Sequence, residues 1–135
     1  MGNAAEIAIP TDKLSRHFGP LRAVDNLPLE VPAGIIFVFL GPNASEKATT
    51  INLLLGLLEP TSGRAEVLGF DVRTRADEVR SRSGALLEYT GLYAQLSAED
   101  NLEFYGRVWQ MPATGRQSRI KERLTHLDLW ERRGV

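Results

Sequence analysis

Three observations predict an α/β fold. A continuous apolar run, Ile35–Leu40, leads into a loop in which Gly41 and Lys47 stand six residues apart. That loop opens directly into a stretch of helical periodicity. Strand-like segments surround this unit through the first part of the chain, and helical patterning takes over from Ser97 onward. The 135 residues suit a single domain of ordinary size. An apolar share of 43% and a charged share of 24% are those of a globular chain. The net charge of −1 supplies no basic field for nucleic acid. The absence of cysteine excludes a disulfide framework, a zinc–thiolate site and a thiol nucleophile. No apolar run approaches the ~18 residues of a membrane span, and no charged segment followed by an apolar one marks a signal peptide.

Ile7–Phe18 reads as a strand, closed by the turn signal Gly19-Pro20. Val24–Val31 alternates loosely and reads as an edge strand, because Pro28 cannot donate to a ladder on both sides. Ile35–Leu40 is rich in β-branched and aromatic residues and predicts a strand buried on both faces of a parallel sheet. After the loop Gly41–Glu46, the 3–4 spacing of Ile51, Leu54, Leu55 and Leu58 predicts a helix over Lys47–Leu58, stopped by Glu59–Gly63. Short strands are expected at Arg64–Leu68 and Ala85–Leu87, with a polar helix at Ala76–Arg82 between them. Ser97 and Asp100 form a capping box before a helix whose stripe is Leu102, Tyr105 and Val108 or Trp109. A last helix is expected over Gln117–Trp130, with Ile120, Leu124 and Leu127 facing inward. The texture changes near Gly91, which suggests a core over residues 6–90 and a helical part over 91–135.

The window FVFLGPNASEKATT has the context of a phosphate-binding loop: strand, short loop, lysine, helix. Backbone N–H groups and the helix N-terminus attract a phosphate there, and the lysine reaches its outer oxygens. The pattern G-x-x-x-x-G-K-[ST] is nevertheless broken, with Glu46 in place of glycine and Ala48 in place of Ser or Thr. Glycine is expected at position 46 for a tight turn and close backbone approach. A unit charge ~5 Å from a phosphate charge opposes it by about 3 kcal/mol at an effective dielectric near 20. Ala48 removes the hydroxyl that would bind Mg²⁺. On the pattern alone, a plain strand–loop–helix connection with an incidental lysine is the competing reading.

The surrounding residues resemble the N-terminal part of an ABC transporter ATP-binding subunit of the bacterial drug- or antibiotic-exporter type. The runs AVDNLPLEVPAGIIFVFLGPN, TTINLLLGLLEPTSGRAEVLGFDV and GALLEYTGLYAQLSAEDNLEFYGRVW are similar to that family's approach to the loop, its helix and next strand, and its Q-loop. The likeness is nearly collinear from Ile7 to Trp130. It implies a truncated P-loop NTPase-like sheet and helix core with an antiparallel β edge, followed by the start of a helical subdomain. It also implies a nucleotide-binding set of Gly41, Pro42, Asn43, Ala44, Ser45, Glu46, Lys47, Ala48 and Thr49. Of these, Gly41, Pro42, Asn43, Lys47 and Thr49 match the family as they stand. Ala44, Ser45, Glu46 and Ala48 depart from it, as do Ile35 and Val38 in the preceding strand. Phe18 occupies the adenine-stacking position with Val24 beside it, against the plainer reading of a core aromatic. Glu88 stands at the Q-loop position, where a solvated loop charge is the alternative. Tyr89, Leu92, Tyr93 and Leu96 fall on the surface that receives a membrane subunit, or else pack against the C-terminal helices.

The family's signature loop and its Asp-Glu strand are missing from these residues. No catalytic residue is therefore assigned, and no metal ligand. His17 and His126 sit in different elements and read as surface or capping residues. The arginines read as solvated faces. The resemblance implies ATP and Mg²⁺ as ligands, with binding weakened or lost here. The implied partners are a membrane-spanning transporter subunit and a second ATP-binding subunit, with no nucleic acid. The implied location is cytoplasmic, peripheral on the inner face of the cell membrane. The expected function is a fragment of an ATP-driven exporter subunit that does not itself hydrolyse ATP. The alternative is a non-catalytic docking module for a membrane subunit or an intact ATPase.

Overall fold

The computed structural model describes residues 6–41, 44–86 and 91–135. They fall into two compact units, residues 1–85 and 86–135. The first is built on an antiparallel sheet. Strand β1 (Ile7–Phe18) lies at its centre, β2 (Leu21–Leu27) and β4 (Ser62–Val67) flank it, and β5 (Phe70–Asp71) extends β4. Strand β3 (Glu30–Pro32) also pairs with β1. β1 and β2 form a hairpin with Phe18 opposite Leu21, turning at Gly19-Pro20 as expected.

The expected single strand Val24–Val31 is two strands, split at Pro28. Thr11 on β1 bridges the break. Its hydroxyl donates to the Leu27 carbonyl at 2.7 Å and accepts from the Leu29 N–H at 2.8 Å. The groups that the proline cannot pair are thus satisfied by a side chain. A second irregularity lies between Asp12 and Ser15 in the β1–β4 ladder. Lys13 takes a positive φ there, and Gly63 faces it with φ +80°. A Cβ on Gly63 would stand 2.1 Å from the Lys13 carbonyl oxygen.

Helix α1 (Ala44–Leu54) starts three residues earlier than predicted and ends four earlier. Its buried residues are Leu53, fully buried, and Thr50; Ile51, expected inside, is 44% exposed. The core joins Leu53 to Leu14, Val24, Ala65, Val67, Val72 and Val79. Helix α2 (Ala76–Ser81) supplies Val79 and matches its predicted position. β5 was not foreseen, because two residues carry no periodic signal. Residues 85 and 86 are irregular, so the described part of the expected strand Ala85–Leu87 is not one.

The largest departure is Ile35–Leu40, which is not a strand. Ile36 is 96% exposed, Val38 66% and Leu40 83%. The physical reason is pairing. A parallel strand needs neighbours brought in from a distance, and none of the described strands lies beside this stretch.

The second unit holds α3 (Ala98–Val108), α4 (Ala113–His126) and a 3₁₀ turn (Trp130–Arg132). Ser97 caps α3 as predicted, accepting from the Asp100 N–H at 3.1 Å. α4 begins earlier than expected. Ile120 and Leu124 are buried, while Leu127 lies past the helix end and is 65% exposed.

Candidate functional site

The loop residues start from α1. Ala44 and Ser45 open the helix, so Glu46 sits in its first turn with ordinary helical backbone. The departure at position 46 is therefore one of side-chain bulk and charge. A carboxylate in a first turn favours the helix dipole. The same charge opposes an anion that would use the same N-terminus. The Lys47 ammonium donates to the Gly41 carbonyl oxygen across the loop. The Thr50 hydroxyl donates to the Glu46 carbonyl at 2.9 Å within the helix. Glu46 and Thr49 each have interactions of their own. Ala48 is exposed and brings no hydroxyl. Pro42, Asn43, Glu88 and Tyr89 lie outside the described residues.

Beside this turn is a cleft of about 300 Å³ lined by Arg22, Val24 and Asp25 of β2 together with Phe39, Glu46 and Thr50. Arg22 is already engaged, 3.0 Å from Asp25. Two carboxylates and one paired guanidinium make a poor anion site. Val24 is mostly in the core, 7% exposed. Phe18 is 44% exposed at the end of β1, and the Arg16 guanidinium stacks on its ring at 4.6 Å from the centroid. Arg16 is anchored in turn by a 3.0 Å bond to the Glu59 carbonyl. Phe18 thus has an exposed aromatic surface with a cation fixed against the ring.

The second unit carries a groove that residue patterning did not single out. It encloses about 200 Å³ between α3 and α4, floored by Leu102, Trp109, Met111 and Ile120 and edged by Arg116, Arg119 and Arg123. The reading of arginines as solvated faces fails at Arg116. Its side chain is 12% exposed and bonds Glu103 at 2.7 Å and the Met111 carbonyl at 2.6 Å. Gly106 makes this possible, since a Cβ there would meet Arg116 Cδ at 2.4 Å. The bonds from Arg116, and then from Arg107, hold the Glu103 carboxyl down at about 2 against an ordinary 4.5. Arg119 and Arg123 form no ion pair among the described residues. The available signal was the spacing of 116, 119 and 123, which places three cations on one helix face.

Asn101, also missed, is 6% exposed. Its side-chain oxygen accepts from the Tyr93 N–H at 2.8 Å, and its amide donates to the carbonyls of Tyr93, Leu96 and Ser97. It ties the turn that presents Tyr93 and Leu96 to α3. Leu92, Tyr93 and Leu96 are 61%, 49% and 41% exposed, so they form an apolar surface rather than a core. Tyr93 packs edge-on against Phe104 at 5.0 Å. Among the described residues, no helix is long and apolar enough to cross a membrane.

Comparison with known proteins covers both units. A family model described as ABC transporter matches residues 24–134. The chain is 35% identical over 119 residues to a probable multidrug ABC transporter ATP-binding protein of Escherichia coli, covering 88% of this chain and 21% of that one. It is 38% identical over 125 residues to a daunorubicin resistance ATP-binding protein of Streptomyces coeruleorubidus, covering 93% and 40%. Against the bacitracin transport ATP-binding protein of Bacillus licheniformis the identity is 42% over 100 residues, covering 74% and 33%. Among solved structures, an ATP binding subunit of an ABC transporter superposes with TM-score 0.76 at 22% identity, covering 93% of this chain and 52% of that one. The cbiO1 protein of Clostridium perfringens superposes with TM-score 0.78 at 17% identity, covering 95% and 53%. The chain thus spans about half the length of these solved structures and at most two-fifths of these curated relatives. It belongs to the ABC transporter family, and the stretch it carries is the one its relatives hold in their ATP-binding subunits.

Proposed function

We propose that the chain supplies the phosphate-loop side and the first helices of an exporter's ATP-binding subunit, in a form that binds Mg·ATP weakly or not at all. The observation that carries this is the first turn of α1. Glu46 brings negative charge to the N-terminus where a phosphate would sit, Lys47 is turned onto the Gly41 carbonyl, and Ala48 offers no oxygen to a cation. These residues do not fit a magnesium-bound triphosphate. Isothermal titration is expected to show no Mg²⁺-dependent ATP affinity below the millimolar range; a sub-millimolar affinity overturns the proposal. Replacing Glu46→Gly with Ala48→Thr removes about 3 kcal/mol of repulsion and returns the hydroxyl. Affinity then rises on the order of a hundredfold. If it stays unmeasurable, the loop is not the limiting defect.

A second reading, a docking module, is favoured by the α3–α4 groove. Its apolar floor, with Arg119 and Arg123 in no ion pair among the described residues, suits an acidic amphipathic helix of a membrane-spanning subunit. About 200 Å³ is small for a whole ligand but holds one or two large anchoring side chains. Retention by the cognate membrane subunit, lost in Arg119→Glu/Arg123→Glu, supports this reading. No retention of the folded chain rejects it.

A further inference from the structure

The two faces that meet in the helical unit differ in chemistry. Leu102, Tyr105 and Gly106 recur at 3–4 spacing along α3, with Trp109 at its C-cap. Arg116, Arg119, Ile120 and Arg123 do the same along α4. One face is apolar and the other is mostly cationic. The groove of about 200 Å³ lies between them. Arg116 is spent on Glu103 at 2.7 Å and on the Met111 carbonyl at 2.6 Å, so it serves as a wall. Glu103 is spent as well, since its other oxygen accepts from Arg107 at 2.8 Å. Arg119 and Arg123 stand one helical turn apart, both exposed and in no ion pair among the described residues. Like charges four residues apart on a helix repel, and no carboxylate lines the groove to offset them.

We infer that this groove is a binding site for a medium-chain carboxylate, with the alkyl chain on the apolar floor and the head against Arg119 and Arg123. Charge and volume choose that class. The exposed cations at the edge call for an anion, and a planar guanidinium suits a carboxylate. The floor of Leu102, Met111 and Ile120 calls for an alkyl chain, and methionine adapts to its bends. An apolar cavity of about 150 Å³ accepts benzene, so one of about 200 Å³ accepts roughly eight carbons. That is less than a drug-sized ligand needs. An inorganic anion would satisfy the arginines and leave the floor wet. The inference does not rest on the docking reading of the same groove. A chain that binds octanoate and is retained by no membrane subunit upholds it.

The test titrates the chain with sodium butyrate, hexanoate, octanoate and decanoate, each below its micelle concentration, and reads heat and amide chemical shifts. Octanoate is expected to bind with Kd on the order of 0.1–1 mM. Affinity should rise roughly fourfold for each methylene up to octanoate and level off by decanoate, once the floor is covered. The shifts should centre on residues lining the groove, and 1-octanol should bind several-fold more weakly than octanoate. Arg119→Gln/Arg123→Gln should weaken octanoate about five- to tenfold and leave octanol unchanged. The chain-length and head-group series on the unaltered chain decides the matter if that variant does not fold. Equal affinity for butyrate and octanoate overturns the inference, because the anion alone is then bound. Equal affinity for octanol and octanoate overturns it too, as do shifts centred elsewhere or no binding at about 10 mM. Binding to phosphatidylglycerol vesicles without binding of free octanoate assigns the face to a membrane surface and also overturns it.

Discussion

The two units bury themselves by different means. The sheet unit uses apolar side chains around Leu14 and Leu53, both fully buried. The helical unit leans on polar anchors: Asn101 tying a turn to α3, and Arg116 lying over Gly106 to reach Glu103. The helical unit finds its partners nearby in sequence, whereas the sheet unit also closes over a long range, with Thr11 of β1 opposite Ala65 of β4. Ile35–Leu40, the most apolar stretch, stays outside because none of the described strands pairs with it. Hydrophobicity alone does not bury a segment; pairing geometry decides.

The contrast can be broken at several points. The largest effect is expected from Gly63→Ala, where the new methyl meets the Lys13 carbonyl and the backbone must leave a positive φ. A loss of about 2–4 kcal/mol should appear in the urea melt of the sheet unit. A loss below about 1 kcal/mol would mean that the β1–β4 irregularity relaxes freely. Asn101→Ala leaves the part-buried Tyr93 N–H and the Leu96 carbonyl without their side-chain partner, and about 1–2 kcal/mol should vanish from the helical unit while the sheet unit's melt is unmoved. Equal loss in both units would show that they do not melt separately.

A smaller effect concerns acid. Glu103 titrates near 2 in the folded unit and near 4.5 when unfolded, so its contribution is complete above the higher value. It declines as pH falls between the two and is gone below about 2. Glu103→Gln should flatten that acid limb of the helical unit's stability curve. An unchanged limb would place the titration elsewhere. The smallest effect is expected from Val38→Asp in the chain alone, within about 0.5 kcal/mol, as for an exposed position. A loss above about 2 kcal/mol would show that 35–40 is packed after all.

The elements that were legible are those whose signals are local. The Gly19-Pro20 turn, the Ser97 cap and the helix at 76 each follow from a few adjacent residues. Pro28 signalled trouble for its strand, but the bridging by Thr11 depends on a residue 16 positions from Leu27. At the phosphate loop, residue types revealed the missing hydroxyl at 48 and the charge at 46. The turn of Lys47 onto Gly41 is a matter of coordinates. The α3–α4 groove escaped because Gly106 and Arg116 carry no apolar signal, although their fit shapes it.

The exposed run also has a consequence for the chain in a crowded cell. Ile35–Leu40 is six residues of high β-propensity with no charge and no proline, and its nearest flanking charges are Glu30 and Glu46. Segments of this kind stack into cross-β assemblies when left uncovered. Until something covers that stretch, solubility becomes a race between capture by a folding helper and self-association. The yield of soluble chain should therefore fall steeply as its concentration rises.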